Sequence, residues 1–278
     1  MNSAQFCPVG QLEKLLLATD GSQFSEGAIR EAIGFAAKCS SKLYALSVLE
    51  TNPEYETIGS NVFEKEEDEV RAHLDSIKER ALREGVHCDT IFLHGAEPQQ
   101  QIVQQASENQ VDMIVIGRRG RKGIVKLLLG EVASKVIGHA PCKVLVVPRA
   151  AKIGYQTILV ATDGSEHGNA AVGEAVAIAK RCGSHLIALS VMRDESERQE
   201  VSDLSSKALE LAKKEGVSAE ALTPIGRSFD VIVETAGGRG VDLIVMGTYG
   251  KTGLRKFLMG SSTEKVIGYA GCAVLVVK

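Results

Sequence analysis

The sequence predicts an α/β fold made of two tandem domains, each a doubly wound five-stranded parallel sheet. Two observations carry that expectation. The chain repeats itself, and each copy alternates short apolar runs with amphipathic stretches. Residues 15–22 read LLLATDGS and residues 158–165 read ILVATDGS, 143 positions on. VDMIVIG at 111–117 returns as VDLIVMG at 241–247, and CKVLVV at 142–147 returns as CAVLVV at 272–277, both 130 positions on. The second copy is therefore shorter in its middle, where RDESERQE at 193–200 stands against TNPEYETIGSNVFEKEEDE at 51–69. The copies meet between Pro148 and Gly154, a stretch of Pro, Gly and small or charged residues suited to a linker. Domains over 1–148 and 149–278 follow.

The first copy alternates strand and helix signals along its length. Leu15–Thr19 is a short apolar run fit for a strand covered on both faces. Ala28, Ile29, Ala32, Ile33, Ala36 and Ala37 recur at helical spacing. Leu43–Leu49 is the next strand, and Val70, Leu74, Ile77 and Ala81 mark a second helix stopped at Gly85. The acidic run Glu64, Glu66, Glu67, Asp68 and Glu69 reads as a solvated helix start. Ile91–Leu93 is a third strand, followed by a helix through Ile102, Val103 and Ala106. Met113–Ile116, a helix over Glu131–Gly138, and Val144–Val147 complete the unit. The second copy runs likewise from Thr157–Ala161 to Val274–Val277. Right-handed crossovers make each unit doubly wound. The two VLVV segments would be apolar edge strands, a liability that pairing them around a pseudo-twofold axis removes.

Composition excludes several function classes. Hydrophobic residues are 44% and charged residues 24%, enough for a buried core. Lys+Arg is 32 against Asp+Glu 35, a net charge of -3 that gives no electrostatic reason to bind nucleic acid or an anionic membrane. Aromatics are 4% with no Trp, so little surface exists for stacking bases. No apolar run reaches the ~20 residues of a membrane span. The opening MNSAQFCPVGQLEK lacks the pattern of a secretory signal, so a cytoplasmic protein is expected. The six cysteines form no CxxC, and Cys39, Cys142, Cys182 and Cys272, beside or inside apolar segments, read as reduced, partly buried thiols. No protein-only metal site is legible.

In such sheets a ligand sits beyond the carboxyl ends of the strands, where strand order reverses. Each copy places two features there. One is the Asp-Gly-Ser turn, Asp20-Gly21-Ser22 and Asp163-Gly164-Ser165. The other is a glycine-rich stretch after the fourth strand. In the second copy it reads MGTYGKTGLRKFLMGSSTEKV, with Gly247, Gly250 and Gly260 followed by Ser261 and Ser262. Glycines let the backbone approach an anion closely, and Gly-Ser-Ser at a helix start offers N–H groups and hydroxyls to phosphate. A Walker A loop is excluded because Val245 stands where that motif needs Gly, and no GxGxxG follows the first strand.

The ATDGS turn, the VD-[ML]-IV-[IM]-G strand, the Gly-x2-Gly-x9-Gly-[Ser/Thr] motif and the terminal VLVV together resemble the universal stress protein domain. Nearly the whole chain resembles a tandem member of that family, with the universal stress protein-like, adenine nucleotide alpha-hydrolase-like fold. The resemblance to its ATP-binding branch implies Asp163, beside Ala161, and Gly247 for ribose, and Val191 for adenine. It implies Gly250, Gly260, Ser261 and Ser262 for phosphates, with a divalent metal such as Mg2+ or Mn2+. It also implies pairing of the two halves through their last strands as an intrachain pseudo-dimer, to which a homodimer of tandem chains is a further possibility.

The first copy reads IGRRGRKGIVKLLLGEVASKV and carries Glu131 where the motif wants Ser or Thr. A carboxylate there suits the helix dipole and opposes phosphate. Arg118, Arg119, Arg121 and Lys122 either offset that charge, form a solvated loop, or bind another anion. The expectation is asymmetric: ATP in the second domain, weak or no binding in the first. Three functions remain open at this point. They are an ATP-binding stress-response module whose nucleotide acts as a conformational signal to a protein partner, a slow ATPase using Lys251, Arg255 and Lys256, and a nucleotide-free interaction scaffold.

Overall fold

The computed structural model describes residues 7–51, 60–119, 129–250 and 259–278. In the first half the strands are β1 (Lys14–Ala18), β2 (Lys42–Glu50), β3 (Cys88–Gly95), β4 (Met113–Gly117) and β5 (Lys143–Val147). The helices between them are α1 (Glu26–Cys39), α2 (Ser60–Arg83), α3 (Pro98–Glu108) and α4 (Glu131–His139). The second half repeats the order with β6 (Thr157–Ala161), α5 (Glu166–Cys182), β7 (His185–Leu189), α6 (Arg198–Lys214), β8 (Ala219–Leu222), α7 (Ser228–Gly238), β9 (Leu243–Gly247), α8 (Ser261–Tyr269) and β10 (Ala273–Val277).

The ten strands form one sheet in the order β3-β2-β1-β4-β5-β10-β9-β6-β7-β8. Neighbours pair in parallel except at the centre, where β5 and β10 run antiparallel with Val146 opposite Val274 and Val144 opposite Val276. The expected union of the two apolar terminal strands is thus the middle of the sheet, and neither is left as an edge. Within each half the order reverses between β1 and β4, and between β6 and β9.

Alternate strand residues feed two core layers, as the two-residue side-chain period requires. Leu15, Leu17, Leu145, Val147, Leu275 and Val277 pack under α1, α2, α5 and α6. Leu16, Ala18, Val144, Val146, Val274 and Val276 pack under α3, α4, α7 and α8. Both layers run unbroken through both halves.

Three sequence expectations need adjustment. Helix α2 starts at Ser60, four residues before the acidic run 64–69, which lies within it on a largely exposed stretch. There Glu67 pairs with Arg71 at 3.9 Å and His94 at 3.0 Å. Strand β3 is longer than its apolar centre because β2 offers it eight paired positions. Cys39 is not a free thiol: it is joined to Cys7, 32 residues away. A turn over Cys7–Gly10 lies against the end of the helix that carries Cys39, a proximity that no Cys spacing encodes. Cys142, Cys182 and Cys272 are free and partly buried as expected, and burial pushes each thiol up to about 11.

Candidate functional site

The second half assembles a crevice at the carboxyl ends of β6 and β9. Strand β6 ends at Ala161, and Thr162 N–H still bonds Leu189 O at 3.0 Å, so the chain leaves the sheet at a fixed point. Asp163 Oδ1 then accepts the Ser165 N–H at 3.0 Å, and Thr162 Oγ1 accepts the Gly164 N–H at 3.2 Å. This turn places Gly164 at φ 78°, a conformation that favours glycine. Ser165 caps α5 by accepting the Gly168 N–H at 3.1 Å. The same hydroxyl donates to Tyr249 O at 3.3 Å, so one side chain ties the Asp-Gly-Ser turn to the glycine-rich loop.

The loop's glycines are places of close approach. A Cβ on Gly247 would lie 2.7 Å from the carbonyl carbon of His167, where the end of β9 packs on the start of α5. A Cβ on Gly250 would overlap Asp163 Oδ2. The structure therefore brings Asp163 and Gly250 together. Gly260 precedes α8 in extended conformation, and its N–H bonds Thr248 O at 2.9 Å. Ser261 and Ser262 are exposed in the first turn of α8, which has no side-chain N-cap bond. Ala161 and Val191 lie just at and beyond the ends of β6 and β7, partly buried against the second core layer. Lys251, Arg255 and Lys256 lie outside the described residues, as do Gly120, Arg121 and Lys122 of the first half.

Several residues that shape the crevice escaped the motif. Thr263 Oγ1 donates to Gly247 O at 3.1 Å and Thr248 Oγ1 to Val277 O at 3.0 Å, both buried, pinning α8 and the loop to the sheet. His167 meets Tyr249 edge to face at 5.4 Å. Asp242 accepts the Tyr155 and Gln156 N–H groups, each at 2.9 Å, and Asp112 accepts those of Glu13 and Lys14 at 2.8 and 2.9 Å. The repeated Val-Asp before the fourth strand of each half was the available signal for these last two. Its chemistry is to fix the entry of the first strand, so it braces the crevice from the opposite end of the sheet.

The first half keeps the backbone and changes the side chains. Asp20 Oδ1 accepts the Ser22 N–H at 3.0 Å and the Ser25 hydroxyl at 2.9 Å, and the Gly130 N–H bonds Arg118 O at 2.9 Å. Glu131 is exposed and pairs with Lys135 at 2.7 Å, which holds its carboxyl below the usual range. Arg118 is neither a solvated loop cation nor a counter-charge to Glu131. It is half-buried, and its Nη1 donates to Ala270 O of the second half at 2.8 Å.

Comparison with known proteins fits this architecture. The family model described as the universal stress protein family matches residues 11–148 and again 154–278. Among curated proteins, Universal stress protein MJ0531 of Methanocaldococcus jannaschii is 34% identical over 144 residues, covering 50% of this chain and 84% of that protein. Universal stress protein YxiE of Bacillus subtilis is 34% identical over 145 residues, covering 48% and 97%. A crystal structure of a universal stress protein from Archaeoglobus fulgidus superposes with a TM-score of 0.80 at 21% identity, covering 95% of this chain and 96% of that one. That likeness speaks to the fold. With both halves matched separately and a ten-stranded sheet built from two copies of one unit, the chain belongs to the universal stress protein family as a tandem two-domain member.

Proposed function

We propose that the protein binds ATP in the crevice of the second domain and that the bound nucleotide serves as a conformational signal in a stress response. The observation that carries this reading is the meeting of Asp163 with the bare backbone of Gly250 in front of a helix that opens Gly260-Ser261-Ser262. Asp163 would accept from ribose hydroxyls beside Gly247, while Ala161 and Val191 present an apolar edge to adenine. The N–H groups and hydroxyls at the start of α8, with Gly250, would hold phosphate, favoured by the positive end of the helix. No group of three or more His, Cys, Asp or Glu side chains placed to hold a metal ion lies among the described residues. A divalent ion such as Mg2+ or Mn2+ would then take its ligands mainly from phosphate oxygens, water and the serine hydroxyls, in keeping with Mg2+ preferences.

The first domain is proposed to bind ATP weakly or not at all, since Glu131 sets a carboxylate where the second domain has Ser261. Signalling requires that ATP favour one conformation over another, because only differential affinity shifts a population. Binding is favoured over hydrolysis: among the described residues the carboxylate that meets Gly250 is Asp163, and its Oδ1 is already engaged by the Ser165 amide. Calorimetric titration of the whole chain with ATP and Mg2+ tests the proposal. One ATP per chain, weakened by Asp163→Ala, is expected. Two equal sites would overturn the asymmetry, and no binding at millimolar ATP would favour the scaffold reading. Phosphate release in excess of a Ser261→Ala control would favour the ATPase.

A further inference from the structure

We infer that Arg118 is a cross-domain positioning residue that ties the glycine-rich loop of the first crevice to the helix whose opposite end faces the second. The inference rests on the nucleotide reading of that second crevice. Helix α8 is only nine residues long, about 13 Å at 1.5 Å per residue, so its two ends move as one body. Its N-terminal end is Gly260-Ser261-Ser262. At its other end stands the carbonyl of Ala270, a residue 1% exposed. Such a carbonyl lacks an intrahelical partner and needs a donor.

The donor comes from the other domain. Arg118 Nη1 reaches Ala270 O at 2.8 Å. A cation at the negative end of a helix is favourable, and a charged donor strengthens the bond. Arg118 is also anchored in its own crevice, because its carbonyl accepts the Gly130 N–H at 2.9 Å. One residue therefore joins the backbone frame of the first site to the helix of the second.

The construction is not symmetric. At the equivalent position the second domain has Thr248, whose hydroxyl turns back to Val277 O within its own domain. The reciprocal cap on α4 comes from Lys278, whose Nζ donates to Ile137 O at 2.6 Å and Gly138 O at 3.2 Å. Lys278 follows the last strand and belongs to no glycine-rich loop. Among the described residues, α8, the helix that opens with the paired serines, is the one held by a residue of the neighbouring crevice. A change in the first loop that moves Arg118 must therefore alter the second site, and by linkage a ligand on α8 must act back on Arg118.

The test compares full-length Arg118→Ala and Arg118→Lys with the parent by hydrogen exchange without nucleotide and by calorimetry with ATP and Mg2+. In Arg118→Ala, exchange at amides 266–270 is expected to rise about three- to tenfold, the worth of a partly buried helix-end charge, while α7 is unchanged. ATP affinity should fall by a similar factor, and Arg118→Lys should recover most of both. Unchanged exchange at the end of α8 overturns the tie. Raised exchange with ATP affinity within twofold of the parent also overturns the inference, leaving Arg118 a stabilising contact only. If the parent binds no ATP, the nucleotide reading fails separately, and the exchange result alone judges the tie.

Discussion

Replacing Gly250 by alanine separates binding from stability. The new Cβ would overlap Asp163 Oδ2, with Asp163 Cγ at 3.5 Å, and no backbone atom lies among its close neighbours. Gly250 is not among the positive-φ glycines, so alanine meets no left-handed strain there. The carboxylate is the end of an exposed side chain and can rotate away, at the cost of disturbing its bond to the Ser165 amide, about 0.5–1.5 kcal/mol. Removing a glycine also narrows the unfolded ensemble, which stabilises by about 0.4–1 kcal/mol where the backbone permits it. Swinging aside, however, withdraws Asp163 from its proposed ribose contact. A hydrogen bond to a charged group is worth about 1.5–3 kcal/mol, or roughly a 10- to 150-fold loss of affinity. The two stability terms nearly offset, so the expected pair of results is a melting temperature close to the parent's with much weaker ATP binding by calorimetry. Gly247→Ala is the counterpart. Its Cβ meets the His167 carbonyl carbon at 2.7 Å and oxygen at 2.9 Å, backbone that cannot rotate away. Overpacking of that kind costs about 1–3 kcal/mol, so stability should fall together with binding. Parental ATP affinity in Gly250→Ala would refute the reasoning, and so would a melting temperature lowered as far as in Gly247→Ala.

Three other perturbations have defined outcomes. Cys39→Ser, or reduction of the parent, removes a cross-link closing a separation of 32 residues; the chain-entropy relation gives about 3–4 kcal/mol, so the denaturant midpoint should be lower in Cys39→Ser than in the oxidised parent, and the two should coincide once the parent is reduced. Asp242→Ala strands the Tyr155 and Gln156 amides and should cost about 1–3 kcal/mol in urea unfolding, with Asp242→Asn recovering part of it. Glu26, held below its usual range by Arg80, which donates to it at 2.7 and 3.1 Å, contributes stability above the unfolded carboxylate range; that contribution is lost as pH falls through its lowered folded value. The difference in stability between parent and Glu26→Gln, about 0.2–1 kcal/mol for so exposed a pair, should be present at pH 7 and shrink progressively as pH falls below the unfolded carboxylate range.

The fold was legible because its information is local and stated twice. Apolar runs such as Leu15–Thr19 and Thr157–Ala161 read as strands without knowledge of their neighbours, and the repeated VLVV demanded a partner that the other copy supplies. The crevice's frame was legible where glycines mark close approach, to backbone at Gly247 and to the Asp163 side chain at Gly250. What stayed hidden depends on pairs remote in sequence. Nothing near Cys7 indicates that its turn lies on the end of α1, with Gly10 beside Arg181 of the other half. Arg118 looked like one member of a basic run because its acceptor is 152 residues away. Asp112 and Asp242 were visible as part of a repeated strand motif, but their acceptor role appears only when β4 lies beside β1 and β9 beside β6.

The two halves show how one backbone can be kept while its chemistry diverges. In both, the amide of the glycine before the last helix bonds the carbonyl just past the fourth strand at 2.9 Å, from Gly130 to Arg118 and from Gly260 to Thr248. In both, an aspartate after the first strand turns to accept an amide two residues on, at 3.0 Å. These bonds use main-chain atoms or the shared Asp-Gly-Ser turn, so they survive substitution elsewhere in the loop. The side chains projecting from that frame are free to differ: Phe24 against His167, Arg118 against Thr248, Glu131 against Ser261. Antiparallel pairing of β5 with β10 requires the two halves to share a sheet geometry, and it places no such demand on their crevices. Tandem fusion thereby relaxes what a symmetric pair of identical chains must obey, since an isologous pair cannot change one site without changing the other. The first crevice can then carry Glu131 where the second has Ser261 and commit an arginine to its neighbour while the shared frame remains intact.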